Sequence, residues 1–181
     1  MKTVLIVGIG NIGQRLVKEY ATLQPECYDP YKNIDTRTHS MYDFAFIAVD
    51  TPAQADGKCD ISAVRRAVED TRATIIVIRS TIPPGTTEEL IDSIGKRIVY
   101  SPEFYGTTQH SDPHNFNFDF TILGGHKDNT EPVAQLLQGV YNGNHRFCFT
   151  DARTAELTKY FENTMLAAKV SLCAQFYQIA K

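Results

Sequence analysis

Residues 1–13 read Met-Lys-Thr-Val-Leu-Ile-Val-Gly-Ile-Gly-Asn-Ile-Gly, an apolar run that opens directly into Gly8-x-Gly10-x-x-Gly13. Val4 to Val7 is β-branched and apolar enough for a central parallel strand, and Gln14 to Leu23 can continue as a helix. In that strand–turn–helix setting each glycine has its own task. Gly8 permits the tight turn, Gly10 lets the backbone approach a pyrophosphate, and Gly13 lets the helix pack closely on the strand. Ile9, Asn11 and Ile12 complete the turn, whose helix N-terminus offers unpaired N–H groups and a partial positive charge to phosphates. Asp29 follows Glu26-Cys27-Tyr28, where a second strand should end. That is the position expected of an acidic residue that holds an adenosine ribose. The alternative is a glycine-rich turn with no ligand.

The rest of the chain sets bounds on this reading. Its 181 residues allow one domain with a substantial core plus an appendage. A composition of 43% hydrophobic and 22% charged residues is that of an ordinary globular protein. The net charge of -3 gives no electrostatic reason to expect nucleic acid or an anionic membrane as partner. The apolar stretch after Lys2 is short, broken by glycines and without a cleavage site, and no segment approaches a membrane span. Cys27, Cys59, Cys148 and Cys173 are scattered without a Cys-x-x-Cys pair, which predicts free thiols and a cytoplasmic location. His110 and His114 flank Pro113 in a loop-like run, so no metal site is expected there.

Strand candidates alternate with helices, the pattern of a doubly wound, mostly parallel α/β sheet. Phe44 to Val49, Thr74 to Ile78, Ile98 to Tyr100, Phe120 to Leu123 and Arg146 to Phe149 read as strands. Ile61, Val64 and Val68 mark a helix up to Arg72. Thr86 and Glu89 have capping-box spacing for a helix that Gly95 can stop. Pro132 to Tyr141 reads as a helix stopped by Asn142-Gly143. Residues 1–150 are thus expected to form one domain, and Asp151 to cap a long helix over 151–181. On that helix Leu157, Phe161, Met165, Ala168, Leu172, Phe176 and Ile179 fall on one stripe, expected to face the domain. Lys159 and Asn163 lie on the opposite side, one turn apart, so both can reach one ligand. Leu166, Val170, Cys173 and Tyr177 extend that second side, which predicts cover by something other than the domain.

Four stretches at strand ends or on the last helix carry side chains suited to chemistry. They are Val49-Asp50-Thr51-Pro52, Arg79-Ser80-Thr81-Ile82-Pro83-Pro84-Gly85-Thr86, Ser101-Pro102-Glu103-Phe104, and Ala155-Glu156-Leu157-Thr158-Lys159-Tyr160-Phe161-Glu162-Asn163. With the glycine loop, these resemble the ordered hallmarks of the UDP-glucose/GDP-mannose dehydrogenase family, with Ile82 in place of Val. The resemblance covers nearly the whole chain, but only the amino-terminal half of the family's usual length. It implies a Rossmann-type domain followed by a connecting, dimer-forming helix. It further implies NAD as cofactor, a UDP- or GDP-hexose as substrate, and oxidation of the sugar C6 alcohol.

Carried over residue by residue, Gly8 to Gly13, Asp29 and Lys32 resemble the NAD site. Val49, Thr51, Pro52, Ser80 and Thr81 line the nicotinamide side, and Thr81 is also placed among the catalytic residues. Glu103 resembles the carboxylate that positions or activates water. Lys159 and Asn163 resemble the pair that stabilises developing oxyanions. An ammonium and an amide aimed at such an oxygen act as preorganised electrostatics, and a nearby carboxylate as general base. Each has a plainer alternative. Thr51 and Thr81 can satisfy local backbone, Glu103 can be a solvated loop charge, and Lys159 can pair with Glu156 or Glu162 on an exposed helix face.

The chain departs from the family in several places. Thr107 stands where the family has a second glutamate on the cofactor side. The stretch from Asp29 to Phe44 is far shorter than the family's long helical insertion. A Gly-x-Gly-Gly-x-Cys segment, source of the thiolate for a second oxidation, is missing from these 181 residues. The expectation is therefore an alcohol-to-aldehyde step at most. The alternative is an NAD-binding regulatory fragment, or a half-enzyme that needs a partner chain.

Overall fold

A computed structural model describes residues 2–104, 119–141 and 143–181. Eight strands form one sheet in the order β3-β2-β1-β4-β5-β6-β7-β8. They are β1 (Val4–Val7), β2 (Glu26–Asp29), β3 (Ile34–Asp35), β4 (Tyr42–Ile47), β5 (Ala73–Ile78), β6 (Ile98–Tyr100), β7 (Phe120–Gly124) and β8 (Arg146–Thr150). The helices are α1 (Asn11–Glu19), α2 (Ser62–Asp70), α3 (Thr86–Ile94), α4 (Lys127–Gln138) and α5 (Ala152–Ile179). Pairing is parallel except between β2 and β3 and between β6 and β7. The expected doubly wound, mostly parallel sheet followed by a long helix is what the chain forms.

Successive side chains of a strand point to opposite faces, and the core divides accordingly. Val4, Ile6, Phe44, Phe46, Ile75 and Val77 pack on one face against Leu16 of α1, Tyr20 at its C-cap, and Val133 and Leu137 of α4. Leu5, Val7, Ala45, Ile47, Ile76 and Ile78 pack on the other against Val64, Val68, Leu90 and Ala155. Strands buried on both faces explain the continuous apolar runs of the sequence. The chain runs from β1 outward to β2 and then returns to the other side of β1 as β4. The carboxyl ends of these strands therefore border a topological switch point, where doubly wound sheets open a crevice.

The connection from β2 to β4 holds no α-helix, only a short 3-10 turn over Pro30–Lys32. Its cover is the two-residue strand β3 and a return segment tied down by Glu26. That carboxylate accepts from Thr38 N (2.6 Å), Thr38 Oγ1 (2.5 Å), His39 Nδ1 (2.8 Å) and Tyr42 Oη (2.5 Å).

Three local expectations are corrected. Thr86 is not the N-cap of α3: Gly85 is, and the Thr86 hydroxyl donates to Pro83 O at 2.7 Å. The orphan N–H groups there are taken instead by Glu156 of α5. The fourth helix begins at Lys127 and ends at Gln138, so Pro132 lies inside it and Asn142-Gly143 does not stop it. Pro132 cannot donate to Asp128 O, and the Arg97 guanidinium does so at 2.6 Å, which offsets the proline's usual cost.

The third correction concerns α5. Leu157, Phe161 and Met165 do not face the domain; they are 55%, 65% and 44% exposed. Ala152, Ala155, Glu156 and Lys159 are the residues turned inward. The fit explains the choice. A Cβ added to Gly124 would stand 2.9 Å from Asp151 O and collide with the Ala155 Cβ, so only small side chains pass between β7 and the helix. Asp151 caps the helix as expected, accepting from Thr154 N at 2.8 Å. From Asn163 onward every residue of the chain is exposed.

Candidate functional site

The glycine loop is bound on three sides by backbone and carboxylate. Gly8, at φ +87°, would place a Cβ 2.6 Å from Ala48 O, and a Cβ on Gly13 would overlap Gly8 O. The first approach sets the turn after β1 against the end of β4, and the second packs α1 onto that turn. Gly10 differs, because nothing lies within 4 Å of where its Cβ would be. Gly10 is also the N-cap of α1 and supplies no side-chain cap. The first N–H groups of α1, from Asn11, Ile12 and Gly13, thus have no side-chain cap beside the open space at Gly10.

Asp29 is buried at the end of β2, as its position implied. Its Oδ2 accepts from Ile9 N at 2.8 Å, and its Oδ1 from Tyr31 N and Lys32 N at 3.1 and 3.2 Å. Those three bonds leave one of a carboxylate's four acceptor sites for an incoming hydroxyl. Lys32 reaches back, its Nζ donating to Ile9 O at 2.7 Å, so the Asp29 and Lys32 side chains hold the two backbone polar groups of Ile9. A cleft of about 700 Å³ runs past Gly8, Gly10, Asp29, Lys32, Val49 and Pro52. Its volume falls in the range of small-molecule and cofactor sites. The open Gly10 turn, the uncapped α1 and the remaining acceptor of Asp29 fit a dinucleotide.

Beside this cleft the loops after β4 and β5 are stitched together. Ser80 Oγ donates to Val49 O at 2.6 Å, and Thr51 Oγ1 to Thr81 O at 2.8 Å. The Cys59 thiol lies 3.8 Å from Thr51 O and 3.7 Å from Thr81 O. The Thr51 hydroxyl thus satisfies backbone, which was the plainer alternative for it. The same bonds fix the loop that presents Thr81.

Glu103 and Lys159 are both buried and lie 3.6 Å apart, Oε1 to Nζ. Lys159 also contacts Glu162 at 3.2 Å and stands 5.2 Å from the Phe104 ring centroid. Lys159 pairs with Glu162, as one alternative had it, but on a buried rather than an exposed face. Burial pushes the Glu103 carboxyl above its usual range, and the charges of Lys159 and Arg79 pull it back. Asn163 is exposed one turn further along α5. Thr107, His110 and His114 lie outside the described residues.

Two residues escaped notice in the sequence as separate contributors. Arg79 is buried with Nη1 donating to Ser101 Oγ at 2.7 Å, two residues before Glu103. Glu156 is fully buried and accepts from Gly85 N at 2.5 Å, Thr87 N at 2.7 Å and Thr87 Oγ1 at 2.6 Å. Both sit inside the quoted motifs. The available signal was an acidic side chain on α5 opposite a glycine-started helix with open N–H groups.

Together the sheet order and the first turn define a doubly wound α/β domain with a glycine-rich loop at its switch point. Residues 31–144 match the NAD-binding domain of the UDP-glucose/GDP-mannose dehydrogenase family, and the chain belongs to that family. It is 35% identical over 162 residues to a UDP-N-acetyl-D-mannosamine dehydrogenase of Methanococcus maripaludis, covering 82% of this chain and 37% of that protein. It is 28% identical over 152 residues to the UDP-glucose 6-dehydrogenase of Rickettsia conorii, covering 78% of this chain and 34% of that one. The chain thus spans about a third of the length of these curated relatives. A UDP-glucose dehydrogenase from the hyperthermophilic archaeon Pyrobaculum islandicum shares the fold. It superposes with a TM-score of 0.74 at 22% identity, over 95% of this chain and 51% of that chain. Among the described residues, no helix is long and apolar enough to cross a membrane.

Proposed function

We propose that this chain binds NAD in the cleft beside the glycine loop and serves the oxidation of a nucleotide-sugar C6 alcohol. The observation that carries the reading is the buried Glu103–Lys159 pair. It follows β6, on the same carboxyl edge of the parallel strands as the glycine loop that follows β1. A cation and a carboxylate removed from water are costly unless they are used or fully satisfied. Held there, the Lys159 ammonium stabilises an oxygen as it becomes anionic, and Glu103 accepts a proton. NAD, when bound, supplies the hydride acceptor.

The first 150 residues form the dinucleotide domain in this reading, and residues 151–181 the connecting helix of a homodimer. Leu166, Val170, Leu172, Phe176 and Tyr177 of that helix are exposed, each 53% or more. Full burial of one such side chain is worth roughly 1.5–3 kcal/mol. A symmetric partner helix is the simplest cover.

A second reading, NAD binding without turnover, draws on Asn163. That residue is exposed, whereas Lys159 is buried beside Glu103. The purified chain incubated with NAD⁺ and a panel of UDP- and GDP-hexoses separates the two readings. NADH absorbance rising with one sugar supports the dehydrogenase. Bound NAD⁺ with no NADH from any sugar supports the second.

A further inference from the structure

Strand β3 and its return segment occupy the place where a longer insertion is expected, and they bring three side chains together. Tyr28 on β2 and Asp35 on β3 are cross-strand partners, so their side chains share a face of the sheet. Arg37 lies two residues beyond Asp35 and folds back over the same face. Its guanidinium carbon stands 3.6 Å from the centroid of the Tyr28 ring. Asp35 holds the fork from the side, accepting Arg37 Nε at 2.8 Å and Nη2 at 2.6 Å. The bonds from Arg37 hold the Asp35 carboxyl down at about 2, so the pair stays ionised at any ordinary pH. Tyr28 and Arg37 both line the cleft that contains Gly10 and Asp29. The Arg37 side chain remains 38% exposed.

A guanidinium has two different ways to meet a nucleotide. Its edge binds phosphate or carboxylate through a fork of donors, and its flat face stacks on rings. Here Asp35 takes the Nε and Nη2 edge and offsets the charge, while Tyr28 covers one face and fixes the plane. We propose that Arg37, laid over Tyr28 and held by Asp35, is the platform on which the adenine of the dinucleotide stacks. Asp35, by offsetting the guanidinium charge, also lowers what Arg37 can offer a 2′-phosphate. The proposal rests on the NAD-binding reading above and adds to it the residues that select a purine and reject NADP.

Asp29 and Asp35 thus act at two points of one adenosine. Asp29 meets the ribose hydroxyls, and Asp35 offsets the cation that would reward a phosphate in their place. Lys32 spends one of its donors on Ile9 O. The cleft therefore presents the 2′ position with the Asp29 carboxylate and with an Arg37 whose charge Asp35 offsets.

Calorimetric titration of the full chain tests this with four probes: NAD⁺, NADP⁺, adenosine 5′-monophosphate and nicotinamide mononucleotide. Arg37→Ala should weaken NAD⁺ and the adenosine monophosphate alike by about tenfold, the size of one lost base stack. Nicotinamide mononucleotide should bind as before. Arg37→Lys keeps the charge but loses the plane, and should fall with Arg37→Ala. Asp35→Asn leaves the guanidinium charge unbalanced and should shift the NADP⁺-to-NAD⁺ affinity ratio upward by about tenfold, the size of one charge-assisted hydrogen bond. NAD⁺ affinity unchanged by Arg37→Ala, or fully kept by Arg37→Lys, overturns the platform and leaves NAD binding standing. An unshifted ratio in Asp35→Asn overturns the role given to Asp35. No NAD⁺ binding by the unaltered chain overturns the underlying reading, and the platform with it.

Discussion

Glu156 of α5 accepts both the backbone N–H and the hydroxyl of Thr87 of α3, at 2.7 and 2.6 Å. These bonds join the helix that carries Lys159 to the first turn of α3, and a further bond from Gly85 N ties it to the end of the loop that presents Thr81. They also replace the side-chain cap that α3 lacks. Removing the carboxylate leaves buried N–H groups of Gly85 and Thr87 without a partner. Glu156→Ala should therefore destabilise the chain by about 2–3 kcal/mol, read from urea unfolding. Glu156→Gln keeps one acceptor oxygen and should cost less. Equal stability of Glu156→Ala and the unaltered chain would show that the clamp contributes nothing.

The glycines of the first turn should separate folding from binding. Gly13→Ala drives a methyl into Gly8 O and should destabilise the fold by roughly 1–3 kcal/mol. Gly10→Ala meets empty space in the free protein. It should leave the unfolding midpoint nearly unchanged and still weaken NAD⁺ binding, because the new methyl stands where the pyrophosphate approaches. Thermal unfolding and calorimetry on the two variants check both halves. Undiminished NAD⁺ affinity in Gly10→Ala would remove the pyrophosphate from this turn.

Glu26 ties the return segment to β2 and carries a pH signature. Partial burial raises its carboxyl, but the bonds from Thr38, Tyr42 and His39 outweigh this and bring it from an ordinary 4.5 down to about 2. A carboxyl depressed in the folded state adds stability above its ordinary value, and that stability is lost as pH falls toward the folded one. Glu26→Gln should thus be less stable than the unaltered chain at pH 7. The difference should shrink between about pH 4.5 and pH 2. Urea titrations across that window measure it, and a constant difference would speak against an ionised Glu26 as the tie.

Lys159→Ala should abolish any turnover and leave NAD⁺ affinity unchanged, since the lysine faces Glu103 and not the glycine loop. Stability should fall by about 3–5 kcal/mol, because Glu103 stays buried with its nearest cation gone. Lys159→Ala with normal NADH release would dismiss the lysine from the chemistry.

The last helix should mediate self-association. Val170→Glu or Leu172→Glu places a charge among the exposed apolar groups of α5 and should shift a dimer toward monomer in sedimentation. Neither residue touches the domain core, so the fold should survive both changes. A strictly monomeric unaltered chain would contradict the dimer.

Much of this fold is legible because its strands are buried on both faces and its glycine turn is sterically demanding. Asp29, at the end of β2, stands where spacing alone places it. Local patterns fail where a distant partner settles the outcome. Arg97 compensates Pro132 from outside α4, so a proline that reads as a helix start lies inside the helix. Glu156 takes over the capping that Thr86 and Glu89 appear, by spacing, to provide for themselves. On α5 the apolar stripe identifies a face but not its direction. The close approach of Gly124 to Ala155 and the partners of Glu156 and Lys159 turn the polar face inward. Arg37 is invisible in any motif, because its placement depends on the antiparallel register of β2 and β3.

The central claim, an NAD site in the cleft between the glycine loop and Asp29, is tested most directly by titrating the unaltered chain with NAD⁺ and NADP⁺ in parallel. A 2′-phosphate placed 4 Å from the Asp29 carboxylate would face a repulsion of about 4 kcal/mol at an effective dielectric near 20. The account predicts saturable one-site binding with NAD⁺ the tighter ligand. Equal affinities, tighter NADP⁺, or no binding of either would contradict it.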